Sequence, residues 1–267
     1  RKFLQESTFE ILVQALKAKN RPVPSKPLPL MLTAQGGVGT SLEHEFLLKH
    51  YNLDSVGWGT PFLLVPEATN VDPETLSLLA KAGENDLYLS NISPMGIPFN
   101  SVRGNSKNVQ KRKFAEEGKP GNPCKKKFLM FNTEFTEIVI CTASRQYQKM
   151  KINELKEKNL PAAEFEKQYE KIIEKECLCE GLAESALVNI SDKHKNSGVT
   201  VCPGPNLAYF SDVVSLKQMI DHIYGRINII RLNFRPHMFI KEVSLYIDYF
   251  KNNLESIEMP VTQAQIK

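Results

Sequence analysis

Short apolar segments alternate with helical stretches in the first part of the chain, and each apolar segment ends in a glycine turn. A short apolar run indicates a buried strand, whereas apolar positions three and four residues apart indicate one face of a helix. Strands that alternate with helices in this way are parallel and joined by crossovers. The predicted order is a strand at 28–34, a glycine turn at 35–40, a helix at 41–50, a strand at 55–56, a second glycine turn at 57–61 and one helical turn at 62–65.

The rest of the chain is predicted to be mainly helical. Ser7 is the expected N-cap of a first helix at 7–19, and Pro161 separates two helical stretches in the charge-rich segment 144–179. Residues of the type that favours strands are frequent at 128–140. Further helices are predicted at 73–82, 181–188, 215–224 and 239–254, and further strands at 86–89 and 199–201.

Two glycine turns in this order and at this spacing are typical of a phosphate site in a (β/α)₈ barrel. In such barrels the loops after strands seven and eight, with the N-terminus of a short extra helix, hold the phosphate. Glycine is needed because the backbone approaches the phosphate closely and successive N–H groups point inward, which often requires positive φ. Gly36 and Gly37 fit the first loop, and Gly57, Gly59 and Thr60 fit the second. The alternative is that both are structural turns without a ligand.

These two segments resemble those of a known enzyme group. The sequences Ala34-Gln-Gly-Gly-Val-Gly-Thr40 and Asp54-Ser-Val-Gly-Trp-Gly-Thr-Pro-Phe-Leu-Leu64 are similar to the phosphate loops of FMN-dependent TIM-barrel oxidoreductases. Nitronate monooxygenase-like enzymes, glutamate synthase-type flavin domains and type 2 isopentenyl-diphosphate isomerase belong to that group. The resemblance covers residues 28–65 only.

The resemblance implies an FMN cofactor whose phosphate is held by these loops. Trp58 departs from the family pattern, in which a small or aliphatic residue lies between the glycines, and its indole either packs on the outer layer or crowds the ligand. Strands one to six, which carry the flavin-ring contacts and the substrate base in such enzymes, would come from upstream sequence or another chain. No catalytic residue is therefore assigned. The candidate cofactor-binding residues are Gln35, Gly36, Gly37, Gly57, Gly59 and Thr60.

A change in composition near residues 100–122 divides the chain. Most of the excess positive charge lies in a stretch rich in lysine and interrupted by glycine and proline, which is typical of a solvated connection between domains. We therefore expect an α/β fold in three parts. Residues 1–100 are the closing units of a (β/α)₈ barrel that is incomplete in this chain, residues 101–127 are a basic linker, and residues 128–267 form an α-rich domain of unknown role.

Composition excludes several classes of protein. No apolar run approaches the ~18 residues that cross a bilayer, and the basic stretch has a single aromatic residue, Phe114, to stack on nucleic-acid bases. The odd number of cysteines, five, is typical of a reducing cytoplasm rather than of a disulfide scaffold. The first residue is Arg1 rather than Met, which suggests a trimmed chain, a processed chain or a fragment of a longer protein.

The cysteines are expected to be buried free thiols that bind no metal. Cys177 and Cys179 are separated by a single residue, no C-x₂-C pair occurs, and two thiolates at this spacing rarely reach one tetrahedral metal. The alternatives are a zinc or iron–sulfur site that also uses Cys124, Cys141 and Cys202, and a redox-reactive thiol.

No other group of residues indicates catalysis. His44 is expected on the surface of the helix at 41–50, His222 is expected to pack or to form a hydrogen bond, and residues 203–206 are interpreted as a tight turn without chemistry.

The function predicted from the sequence is part of an FMN-dependent oxidoreductase that supplies the loops for the flavin phosphate. Hydride or electron transfer through the flavin to a small-molecule substrate would be the chemistry of the whole protein. The alternative is a non-catalytic interaction or regulatory module on a barrel scaffold.

Overall fold

The computed structural model describes residues 1–194, 197–230 and 234–254. The fold is of the mixed α/β class, rich in helices and with few strands. Parts of the predicted α-rich domain, residues 195–196, 231–233 and 255–267, lie outside the described residues. In the described part of the chain, the helices lack the combination of length and apolar character that a membrane crossing requires.

The described elements follow one another in the order helix, strand, helix, strand at the start of the chain and are mainly helical afterwards. The α-helices are α1 (Lys2–Ala18), α2 (Ser41–His50), α3 (Pro73–Lys81), α4 (Ser106–Glu116), α5 (Arg145–Glu157), α6 (Ala162–Ile173), α7 (Leu178–Leu187), α8 (Leu216–Ile223) and α9 (Met238–Leu254). The strands are β1 (Thr33–Gln35), β2 (Ser55–Gly57), β3 (Leu87–Ser90) and β4 (Phe99–Val102), and short 3₁₀ helices span Thr60–Leu64, Asp192–His194 and Pro205–Tyr209.

The predicted parallel pair of strands is present. β1 pairs with β2 in parallel, with Gln35 opposite Gly57, and α2 is the crossover between them. The Thr40 hydroxyl accepts the N–H of Glu43 and so caps α2 directly after the first glycine turn. Because the carboxyl ends of parallel strands lie at the same edge of a sheet, this pairing brings the two glycine turns together.

The described chain does not form a closed barrel. β1 and β2 are the parallel strands among the described residues, and their side chains are exposed or half-buried. β3 and β4 pair with each other in an antiparallel hairpin instead of extending the parallel sheet. The expectation that upstream sequence or another chain covers the open sheet stays a prediction.

The basic stretch is not an irregular connection throughout. Residues 106–116 form α4, and the side chains of Lys107 and Lys111 are buried. The ammonium group of Lys111 donates to the carbonyl oxygen of Glu174 at 2.8 Å and lies 3.4 Å from a carboxylate oxygen of Glu176. The expectation of a solvated linker is therefore wrong for this helix, because acidic partners from a distant segment stabilise the buried lysine.

Two predictions from the sequence are wrong: the start of the first helix and the strand at 199–201. α1 begins at Lys2 rather than after Ser7, since no residue at positions 2–6 opposes a helix. Residues 199–201 are buried in the core but form no strand in the described chain. Their apolar side chains reflect burial alone, and burial is common to strands and buried loops.

The main apolar core joins residues from both ends of the chain. Leu64 and Leu79 from the first hundred residues pack with Leu207, Tyr209 and their neighbours from residues 199–210. Smaller clusters lie beneath α2 and α8. The segment with the two glycine turns and the later helical part therefore share one core.

The shared core predicts a single unfolding transition. Leu207 is fully buried, so we expect Leu207→Ala to lower the free energy of unfolding by about 2–5 kcal/mol. The measurement is urea unfolding followed by the fluorescence of Trp58, the chain's single tryptophan, and by far-ultraviolet circular dichroism. The two signals should change together and should shift together in the variant.

Leu89→Ala is the matched control, because Leu89 is 51% exposed and its truncation should change stability by less than about 0.5 kcal/mol. Separate transitions for the two signals, with only one of them shifted by Leu207→Ala, would show that the two parts fold independently.

Candidate functional site

The two glycine turns meet at one cavity of about 300 Å³. All six candidate residues line it, which is the arrangement that a shared ligand site requires. The cavity is also bordered by Val38, Trp58, Pro61 and Asn206, so among the residues that the structure describes its lining carries no charged side chain. The lining residues from the candidate set are Gln35, Gly36, Gly37, Gly57, Gly59 and Thr60.

Glycine is required by the backbone of the first turn. Gly36 and Gly37 have φ of 103° and 70°, in the left-handed region that other residues rarely adopt. A Cβ at Gly36 or at Gly59 would meet no atom within 4 Å and would instead occupy open space beside the cavity. The two turns thus leave a space, bordered by backbone, that side chains would fill.

Backbone donors are available at this space. The N–H groups of Gly37, Gly59 and Thr60 have no acceptor within the described residues, whereas that of Gly36 faces β2 in the parallel pairing. Unpaired N–H groups at a glycine turn are the donors that bind anions in phosphate loops.

The Thr60 hydroxyl is held by a segment far along the chain. Its oxygen accepts the backbone N–H of Gly204 at 3.1 Å, and a Cβ at Gly204 would lie only 2.7 Å from that oxygen. Glycine at 204 therefore permits the close approach. Because the hydroxyl oxygen accepts from Gly204, its own hydrogen is free to be donated elsewhere.

Three successive carbonyl groups of the first turn are bound from the C-terminal part of the chain. Arg235 Nη2 donates to the carbonyl oxygen of Gly37 at 2.8 Å, and Asn206 Nδ2 donates to that of Val38 at 2.9 Å. His222 Nε2 lies 2.9 Å from the carbonyl oxygen of Gly39. With its acceptors occupied in this way, the turn keeps its N–H groups as the groups open to a ligand.

A buried ion pair fixes this arrangement. Arg235 Nη1 lies 2.7 Å from Glu43 Oε1, and the two side chains are 6% and 3% exposed. The Glu43 carboxylate also accepts the backbone N–H groups of Gly39 at 2.9 Å and Met238 at 2.7 Å. Burial alone raises the pKa of Glu43, but hydrogen bonds from Arg235 and these amides outweigh it and hold the pKa below 4.5.

Trp58 packs beneath the site as well as lining it. Its indole N–H donates to Nδ1 of half-buried His44 at 3.0 Å, and its ring meets the edge of the His222 ring with centroids 5.7 Å apart. The expectation that His44 is a surface residue is therefore wrong. Burial lowers the pKa of His44, which favours the neutral ring that accepts from the indole.

Several residues that build the site were not found from the sequence. The turn at residues 203–206, interpreted as having no chemistry, supplies a donor to Thr60 and a wall of the cavity. No local motif marks these residues, because their partners are more than a hundred positions away. The one signal that the sequence offered was the acidic residue Glu43 in α2, a helix with one apolar side. The missed residues are Glu43, Gly204, Asn206 and Arg235, whereas the expectation that His222 packs or forms a hydrogen bond is confirmed.

The cysteines are free thiols and lie away from this cavity. Across the residues that the structure describes, no three His, Cys, Asp or Glu side chains are arranged to hold a metal ion.

The ion pair gives a testable prediction. Glu43→Gln leaves Arg235 buried without a counter-charge, so we expect the free energy of unfolding at pH 7 to fall by about 3–5 kcal/mol. Since the folded-state pKa of Glu43 is lowered, its stabilisation is complete above about pH 4.5 and is lost as the pH falls through the folded-state value. The stability difference between the native protein and the variant, measured by urea unfolding, should therefore shrink in acid.

Glu45→Gln on the same helix is the matched control, because the Glu45–Lys49 pair is exposed and should contribute little. A loss from Glu43→Gln no larger than that from Glu45→Gln would contradict the role of the buried pair.

Comparison with known proteins gives a limited result. No protein-family model and no curated protein matches the sequence. FabK from Thermotoga maritima is 16% identical with a TM-score of 0.35, over 83% of this chain and 48% of that chain. The enoyl reductase domain of MlnA from the macrolactin biosynthesis cluster of Bacillus amyloliquefaciens is 14% identical with a TM-score of 0.34, over 93% and 54%. This chain thus spans about half the length of these two structures, and similarity at this level transfers no activity to it.

Proposed function

We propose that the cavity between the two glycine turns binds the phosphate group of FMN, and that this chain supplies the phosphate-binding end of a flavin-dependent oxidoreductase. The observation that carries the proposal is the convergence of all six candidate residues on one cavity. The parallel pairing of β1 and β2 brings the two turns together, and the N–H groups of Gly37, Gly59 and Thr60 remain available to a ligand there.

The residues present fit a phosphate group. Two positive-φ glycines remove side chains from the first turn, and Gly59 removes one from the second, so phosphate oxygens can reach backbone N–H groups. The Thr60 hydroxyl, fixed by Gly204, adds a donor in a set orientation. A phosphate oxygen has the acceptor capacity to take several such bonds at ~3 Å.

The size and charge of the cavity indicate which part of the cofactor it holds. Sites for whole small molecules begin at about 300 Å³, so this cavity suits the phosphate and the adjoining chain rather than the flavin ring as well. The cationic Arg235 is neutralised by Glu43, and neutral dipoles are left to bind the anion. Bound FMN would supply hydride or electron transfer at its ring, and the substrate base belongs to residues outside this cavity.

The first experiment asks whether the phosphate is what the cavity recognises. The full-length protein is titrated with FMN and with riboflavin, which lacks the phosphate, and flavin fluorescence is followed. We expect FMN to bind more tightly than riboflavin. Gly59 lines the cavity, and a methyl group there would meet no atom within 4 Å beyond its own chain neighbours. We therefore expect Gly59→Ala to obstruct the phosphate, to weaken FMN binding by about 1–3 kcal/mol, roughly 5- to 150-fold, and to remove the preference.

Gly83→Ala is the control for Gly59→Ala, because Gly83 lies on a loop that does not line the cavity. A Cβ there meets only the end of the Asp86 side chain, at 3.8 Å. Gly37→Val is a less clean test, since the φ of 70° at Gly37 strains any substitution. Equal binding of FMN and riboflavin, or equal effects of the two alanine variants, would refute the phosphate site. Absence of flavin absorbance in the purified full-length protein, with phosphate still bound, would instead favour the non-catalytic module.

The Thr60 hydroxyl gives a second, smaller effect. Thr60→Ala removes one hydrogen bond to a charged acceptor, and we expect a loss of about 1.5–3 kcal/mol in FMN binding, with riboflavin unaffected. Thr8→Ala, at an exposed position on α1, is the control and should leave both ligands unchanged. A parallel loss of riboflavin affinity in Thr60→Ala would place the effect on folding of the turn rather than on the phosphate.

A further inference from the structure

The second half of α9 projects from the rest of the described chain. Residues 242–251 are exposed without interruption, although they cover about three turns of helix. The start of α9 is attached, because Met238 is buried in a small apolar cluster and the ammonium group of Lys241 pairs with the carboxylate of Glu84. A helical segment of this length is marginally stable in water, since most helices depend on packing against a neighbour.

An apolar seam runs along the projecting part of α9. Its five members follow one another at spacings of three and four residues, so they lie on one face of the helix. Their exposed fractions lie between 37% and 62%. A continuous exposed apolar surface of this kind marks a site of interaction. The seam consists of Ile240, Val243, Ile247, Phe250 and Leu254.

The seam is directed away from the chain that carries it. Met238 and Lys241, which attach α9, lie two positions before Ile240 and Val243, and two positions correspond to about 200° around a helix. The seam is therefore on the side opposite to the attachment. Since all five of its side chains are exposed, no part of the chain that the structure describes covers it.

The spacing of the seam identifies the kind of partner. Alternating steps of three and four residues average ~3.5, the repeat at which two helices wind around each other and interlock their side chains. The side chains of a strand have a period of two residues and do not match such a seam over several turns. The partner that fits is another helix with a seam of the same spacing.

The residues beside the seam are compatible with a second copy of α9. Two copies aligned in parallel place Lys251 of one copy beside Tyr246 of the other, where the ammonium group is attracted to the aromatic ring. With one cation and no anion at the described flanking positions, no like charges face each other across the pair. These flanking positions are Phe239, Ser244, Tyr246 and Lys251.

α1 fits the seam less well than a second α9 does. It is also a helix without buried residues, and Leu4 and Ile11 are exposed at 51% and 68%. At the same spacing, however, the positions next to Ile11 are Thr8 and Ala15, which would leave a hydroxyl group and a single methyl group in two layers of the contact. The second α9 instead offers a large apolar side chain in every layer.

We propose that α9 pairs in parallel with α9 of a second copy of this chain, so that the two seams interlock in a twofold-symmetric dimer. Each copy then covers the apolar side chains that the other leaves in water. A seam of five residues is much smaller than the ~20–30 residues per partner of a standard interface. The dimer is therefore reversible, and its fraction rises with protein concentration.

The first test is sedimentation equilibrium of the full-length protein at several concentrations. The native protein should range between the mass of one chain and twice that mass. Ile247→Asp places a carboxylate in the middle of the seam, where it would meet its counterpart, and should weaken association by at least ~100-fold. Leu245→Asp is the matched control and should leave association unchanged, because Leu245 is outside the seam and belongs to none of the apolar clusters of the described residues.

A cross-link tests the alignment of the two helices. In a parallel pair, position 250 of one copy meets position 250 of the other, so Phe250→Cys should give a covalent dimer on air oxidation that reductant separates. The native protein and Leu245→Cys are the controls, because both retain the five native cysteines, and neither should give this product.

Three results would overturn the proposal. A full-length protein with the mass of one chain at every concentration would show that no second copy covers the seam, and lower stability of Ile247→Asp would then place the cover within the chain. Equal association of Ile247→Asp and Leu245→Asp would assign the dimer to another surface. A dimer that Ile247→Asp dissociates, but that Phe250→Cys does not cross-link, would exclude the parallel alignment.

Discussion

The buried pair of Glu43 and Arg235 is the interaction on which the candidate site depends. It joins the first turn of α2 to the segment that precedes α9, across almost two hundred positions of sequence. An isolated buried pair often contributes little, because removing two charges from water is costly. Here each partner has further bonds, to the amides of Gly39 and Met238 and to the carbonyl of Gly37, and these complete the charge compensation. The pair therefore stabilises the conformation of the first glycine turn.

This anchoring explains how a glycine-rich turn can serve as a site. Glycines give the turn the shape that a ligand needs but also make it conformationally costly to order. Hydrogen bonds to the carbonyl oxygens of the turn offset that cost; they come from Asn206, His222 and Arg235. Trp58 packs against two apolar clusters and so holds the second turn in place. In the proposed phosphate site, a turn that is already fixed would lose less conformational entropy when the ligand binds.

The sequence alone determined the features that depend on local rules. Glycines after short apolar runs marked both turns, the apolar spacing marked α2 with its observed bounds, and alternation implied the parallel pairing of β1 and β2. Tertiary structure decided what depends on partners distant in sequence. It buried Lys111 against Glu176, left residues 199–201 without a strand partner, and made Asn206, 168 positions from Val38, a wall of the site. Such contacts leave no local pattern, because a residue's hydrophobicity and propensity do not specify which distant group will meet it.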